Sequence, residues 1–133
     1  GAPYIEGHQL ADALNALELP GACFRPVYFQ PTAAKYIGQV CQGVQVHVLD
    51  RRIFRPVRAG LEAVAMVRKL WPDQFAWRIP QGGIHNFDLL AGTDQLRLAL
   101  DQGQRVAELE AGWEPGLRAF RQQCEPYLLY ARD

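Results

Sequence analysis

Leu10, Leu14 and Leu17 recur at spacings of four and three, which predicts an amphipathic helix over about residues 7 to 18. The Leu19-Pro20-Gly21 turn is its stop signal. ACFRPVYF, residues 22–29, is rich in β-preferring side chains and predicts a strand. Pro26 inside it cannot donate to a ladder, so this strand belongs at a sheet edge or carries a bulge. A second strand is predicted over 43–49, where Val44, Val46 and Val48 alternate with Gln45, His47 and Leu49. Such a strand is oily on one side and carries an amide and an imidazole on the other.

The connection between the two strands, QPTAAKYIGQVCQG, is long and holds Pro31, Thr32, Lys35 and Tyr36. Long loops are either functional or simple solvated crossovers, and both readings apply here. Pro56 suits the first turn of a further helix, with Val57, Leu61, Val64, Val67 and Trp71 as its apolar stripe and Pro72 beyond its end. On its outer face Arg58 and Glu62 have the spacing of a surface ion pair. Phe75, Trp77 and Ile79 alternate in QFAWRI and predict a third strand.

Beyond the QGG turn, FDLLAG and TDQLRLAL read as short helices, with Thr93 as an N-cap and Gly103 as a terminator. Val106, Leu109, Trp113, Leu117, Phe120 and Cys124 give a last helical stretch that Pro115 is expected to break or kink. The PYLLY tail is apolar enough to dock as a strand or extended segment. The sum is one α+β domain, a small sheet of three or four strands packed with four or five helices. A chain of 133 residues with 49% hydrophobic content can bury a core for that fold.

Charge narrows the partners. Fourteen basic and fourteen acidic residues cancel, which removes the electrostatic footprint of a nucleic-acid or anionic-membrane binder. No apolar run has the length of a membrane span. Cys23, Cys41 and Cys124 form no CxxC pair and read as packed thiols. His8, His47 and His85 show no metal-ligand spacing, so neither metal nor cofactor is expected. The chain has no serine, its threonines lack the context of an activated nucleophile, and GxGxxG and GKT patterns are missing. Glycoside hydrolysis asks for two carboxylates, and most acids here decorate helices. Asp50 closes the polar-faced strand ahead of Arg51 and Arg52. It suits a turn cap or an arginine partner, with direct contact to a ligand as the alternative.

FRPVYFQPTAAKYIGQVCQGVQVHVLDRRIFRPV, LWPDQFAWR, FDLLAGTDQLR and PYLLY together resemble the C-terminal domain of the NamZ-type exo-β-N-acetylmuramidases. The likeness runs from Tyr4 to Tyr130. Pro31, Thr32, Lys35 and Tyr36 match the family's PT-x-SKY motif, with Ala34 where the family has serine. Cys41, Gly43, Val44, Gln45, His47, Val48, Asp50 and Arg51 match C-x-GVQ-x-HV-x-DR, with Leu49 where threonine is common.

The resemblance implies a two-domain parent that releases N-acetylmuramic acid from the non-reducing ends of peptidoglycan fragments during cell-wall turnover. Its active site lies in a cleft between an N-terminal Rossmann-like domain and a smaller α/β domain. This chain is expected to be only the smaller domain, without a catalytic residue and inert alone. Its partners are then the Rossmann-like domain and peptidoglycan-derived saccharides, and an exported bacterial protein, periplasmic or secreted, is expected. The substrate-side residues expected on this chain are Tyr28, Thr32, Lys35, Tyr36, Gln45, His47 and Asp50. Lys35 would meet the lactyl carboxylate, Tyr28 or Tyr36 would stack on a pyranose ring, and Gln45 and His47 would bond hydroxyl or acetamido groups. These residues could equally hold the domain interface. A non-catalytic carbohydrate-binding or interaction module is the alternative function.

Overall fold

The computed structural model describes residues 1–80 and 82–130. The elements run α1 (Gly7–Asn15), β1 (Ala22–Phe29), β2 (Cys41–Val48), α2 (Pro56–Leu70), α3 (Asn86–Ala91), α4 (Gln95–Asp101) and α5 (Val106–Cys124). A 3-10 turn at Glu125–Tyr127 follows. Two compact units divide the chain, the first Gly1–Asn86 and the second from Phe87 onward.

In the first unit β1 and β2 pair antiparallel, with Phe24 opposite Val46 and Arg25 opposite Gln45. α1 lies on this hairpin and α2 packs on α1. The entry to α1 is fixed by Glu6, whose carboxylate accepts the His8 N–H at 3.1 Å and the Gln9 N–H at 2.5 Å. Gly7 N–H donates to Gln42 Oε1 at 3.0 Å and ties the same turn to β2. Leu10 and Leu14 then meet Phe24, Ile5, Leu19 and Ala59 in the core. Burying a leucine as completely as Leu14 contributes about 2 kcal/mol.

α1 ends at Asn15, about three residues before the predicted end at 18, and leaves Leu17 exposed. Glu18 at φ 49 and Gly21 at φ 69 instead form the turn into β1. Gly21 is required there, because a Cβ would come within 2.5 Å of the Asp50 carbonyl oxygen. That closeness is used: the Gly21 carbonyl accepts Leu49 N–H at 2.8 Å, tying the turn to the end of β2.

The sheet has two strands among the described residues, where three or four were expected. QFAWRI is not a strand, because the end of α2 captures its start. Gln74 and Phe75 N–H both bond to the Trp71 carbonyl, and the Phe75 and Trp77 rings pack edge to face at 4.8 Å. Nor does the tail add a strand: Tyr127 ends the 3-10 turn, and it, Leu129 and Tyr130 are exposed. The nearest thing to a third strand is a single bridge, Ala2 to Gln42, on the outer edge of β2.

α2 starts at Pro56 as expected, and most of its predicted stripe is inward: Leu61 is buried, and Val67 and Trp71 pack against the core. Val57 is the exception, being exposed, and Ala59, Ala63, Met66 and Leu70 widen the core-facing side. Arg58 and Glu62 do pair, at 3.9 Å.

In the second unit Thr93 caps α4 as predicted, its hydroxyl accepting Gln95 N–H at 3.2 Å. Gly103, at φ 76, closes α4 with a Schellman pair: Gln104 N–H to Ala99 O and Gly103 N–H to Leu100 O. Arg97 Nε bonds both Asp88 carboxylate oxygens, at 2.9 and 3.0 Å, which ties α4 to α3. α5 runs through Pro115 as one helix, so of the two expected outcomes, a break or a kink, the break does not occur.

Candidate functional site

Antiparallel pairing sorts the hairpin's side chains onto two faces. Ala22, Phe24, Pro26 and Tyr28 share the helix-covered face with Gln42, Val44, Val46 and Val48. Cys23, Arg25, Val27 and Phe29 share the opposite face with Cys41, Gly43, Gln45 and His47. The valines do therefore lie on the core side and the amide and imidazole on the other. Only Val44 packs on the core, however, while Val46 and Val48 are 44% and 50% exposed.

On the polar face Arg25 and Gln45 stand exposed as direct cross-strand partners. Next along the ladder His47 faces Cys23, and the His47 Nε2 atom is sealed from solvent without a hydrogen-bond partner. A sealed, unbonded nitrogen costs on the order of 1–3 kcal/mol unless another group reaches it.

The loop between the strands is held in an unusual conformation. Ala34 and Tyr36 both sit at φ 63 and Gly38 at φ 74. Left-handed backbone costs a non-glycine residue about 1 kcal/mol, more for a bulky one. Hydrogen bonds from Gly38 N–H to Pro31 O and from Gln39 N–H to Tyr36 O, both 3.0 Å, enforce it. Tyr36 packs against the core cluster, and Lys35 Nζ lies 4.7 Å from the centre of its ring. Tyr4 joins them: burial pushes its hydroxyl pKa up, Tyr36 nearby adds to this, and Lys35 opposes it.

The expected site residues thus fall into separate groups. Lys35 and Tyr36 meet each other and Tyr4 at the loop end of the hairpin, with Thr32 exposed on the same loop. Gln45 and His47 lie further along β2, about 13 and 20 Å from Cys41 at the strand's rise per residue. No hydrogen bond, ion pair or ring contact joins Lys35 or Tyr36 to Gln45 or His47 among the described residues. Tyr28 is on the helix-covered face, 54% exposed, its ring 6.3 Å from that of His8. Asp50 caps its own turn: its carboxylate accepts Arg52 N–H at 2.9 Å and pairs with the guanidinium at 3.0 Å. The Arg52 side chain foremost, then its backbone N–H, holds the Asp50 pKa below the ordinary carboxylate value.

Sequence reading passed over Arg25 and Tyr4. The signal for Arg25 was its place beside core-facing Phe24 in an alternating strand, but its neighbour Gln45 emerges only from the register. Among the described residues no cluster of three or more His, Cys, Asp or Glu side chains is arranged to hold a metal. No helix there is long and apolar enough to cross a membrane.

The family model described as exo-β-N-acetylmuramidase NamZ, C-terminal, matches residues 1–130. The peptidoglycan β-N-acetylmuramidase NamZ of Bacillus subtilis (strain 168) is 36% identical over 130 residues, which cover 98% of this chain and 30% of that protein. The crystal structure of a DUF1343 family protein from Bacteroides fragilis NCTC 9343 superimposes with a TM-score of 0.83 at 30% identity. That match covers 96% of this chain and 34% of the other. With the motif residues in order and the match spanning both units, the chain belongs to the family of NamZ C-terminal domains.

Proposed function

We propose that this chain is the substrate-side domain of a peptidoglycan-processing exo-β-N-acetylmuramidase. In this reading it completes the sugar-binding cleft of an exported bacterial enzyme, and an N-terminal Rossmann-like domain of the same protein supplies the catalytic carboxylate. The observation that carries it is the exposed cross-strand pair Arg25 and Gln45, on the hairpin face turned away from α1, in a chain that spans 30% of a relative named peptidoglycan β-N-acetylmuramidase. Exposed Gln45 offers both a donor and an acceptor, as sugar hydroxyl and acetamido groups require, with half-buried His47 next to it on the same face. Thr32 and Lys35 stand exposed on the loop beside half-buried Tyr36, Tyr28 offers an exposed ring for stacking, and Asp50 holds the turn beyond His47.

The test compares this chain with the full-length protein on a chromogenic N-acetylmuramic acid glycoside. Turnover by the full-length protein and none by the domain is expected. Turnover by the domain alone would move catalysis onto these residues and overturn the reading. A second reading, a carbohydrate-binding module acting without a catalytic partner, draws on the first unit having a closed core of its own. Saccharide binding by a full-length protein with no hydrolysis would favour it.

A further inference from the structure

We propose that Arg25 recognises the substrate's carboxylate, acting from the same sheet face as Gln45 and His47; the inference rests on the function proposed above. Two observations converge on it. Arg25 is the direct cross-strand partner of Gln45, and such partners have Cβ atoms about 5 Å apart, close enough for both to reach one ligand group. Its side chain is exposed, and no hydrogen bond or ion pair engages the guanidinium among the described residues. By contrast Arg52, Arg97 and Arg105 are each paired with a carboxylate, to Asp50, Asp88 and Glu108.

Lys35 was the cation expected for this role, but its ammonium lies over Tyr36 at the loop end, away from Gln45. Arg25 is the cation that the register sets against the amide. The chemistry also favours it. A guanidinium presents a planar fork of N–H donors that matches the two oxygens of a carboxylate, whereas an ammonium is a point charge. A muramic sugar differs from the corresponding glucosamine by a lactyl ether that ends in a carboxylate. A guanidinium beside an amide that reads the ring substituents would separate those two sugars.

The experiment uses the full-length enzyme with two substrates, an N-acetylmuramic acid glycoside and the same compound with its lactyl carboxylate converted to the methylamide. Arg25→Gln is expected to raise KM for the acid roughly ten- to hundredfold, the loss of one charge-assisted hydrogen bond, and to leave the amide unchanged. Arg25→Lys should recover part of the loss, and Lys35→Ala should treat both substrates alike. Equal effects of Arg25→Gln on acid and amide, or none on either, would overturn the assignment to Arg25. Failure of the function itself looks different: Gln45→Ala and His47→Ala would then leave both substrates untouched, or the wild type would turn over neither. An unchanged melting temperature for Arg25→Gln confirms that the fold is not the cause.

Discussion

The side-chain amide of Asn15 and the backbone of Phe24 close a two-way pair: Asn15 Nδ2 donates to the Phe24 carbonyl, and Phe24 N–H donates to Asn15 Oδ1, each at 2.8 Å. Phe24 therefore points its backbone polar groups away from β2, and Asn15 takes the place a third strand would occupy. Pro26, two residues on, presents its N–H-less nitrogen to the same outer edge, so no ladder bond is lost. On the outer edge of β2, Ala2 bonds Gln42 in both directions, at 3.0 and 3.1 Å. Two-stranded sheets are marginal alone. This one has its edges satisfied by a side chain and by the N-terminal segment, and a helix covers one face.

Removing the amide of Asn15 should therefore loosen the hairpin from α1. Asn15→Ala leaves a donor and an acceptor of Phe24 without their partner, and about 2 kcal/mol of stability should go. Urea denaturation gives the number, and faster amide exchange at Phe24 than in the wild type identifies the cause. A variant as stable as the wild type would show that water replaces the amide at no cost.

Leu14 is completely buried where α1 meets the hairpin, so Leu14→Ala should cost about 3 kcal/mol from lost transfer energy and the cavity left behind. Leu17→Ala, on the same predicted stripe but exposed, should cost well under about 1 kcal/mol. Equal losses would mean that α1 continues past Asn15 in solution.

Loop strain makes the opposite prediction. Ala34 sits at φ 63, where a side chain is a burden, so Ala34→Gly should raise stability, by no more than about 1 kcal/mol. Gly21→Ala should lower it by more than that, because the added Cβ meets the Asp50 carbonyl as well as an unfavourable φ. Chemical denaturation of both variants checks the pair.

Acid should erode the start of α1. Hydrogen bonds from Gln9 N–H first, then His8 N–H, hold the Glu6 pKa below its ordinary value of 4.5. A carboxylate depressed in the folded state contributes stability that is fully present above its unfolded pKa and is lost as pH falls through the folded one. Glu6→Ala should therefore melt lower than the wild type at neutral pH, with the gap closing below about pH 4. Asp50, depressed by its Arg52 partner, titrates in the same direction in both proteins, so the difference between the curves isolates Glu6. A gap independent of pH would show that Glu6 acts through packing and not through its charge.

Local order was readable wherever neighbouring residues decide the outcome. The span of β1, the Pro56 start of α2, the Thr93 cap and the Gly103 stop follow from backbone geometry and hydrogen-bond chemistry within a few positions. So does the family resemblance, because its motifs lie in unbroken stretches that one reading of the chain can match.

What tertiary structure alone decided is which polar and apolar groups meet. QFAWRI has a strand's alternation, yet Trp71 binds its first amides and its rings pack on each other, so no ladder forms. Lys35 looked like the companion of Gln45 and His47, until the loop's left-handed turns laid it over Tyr36 and the strand register set Arg25 there instead. Alternation says which side of a strand a residue takes; only pairing across strands, which depends on residues far apart in the chain, says what stands beside it.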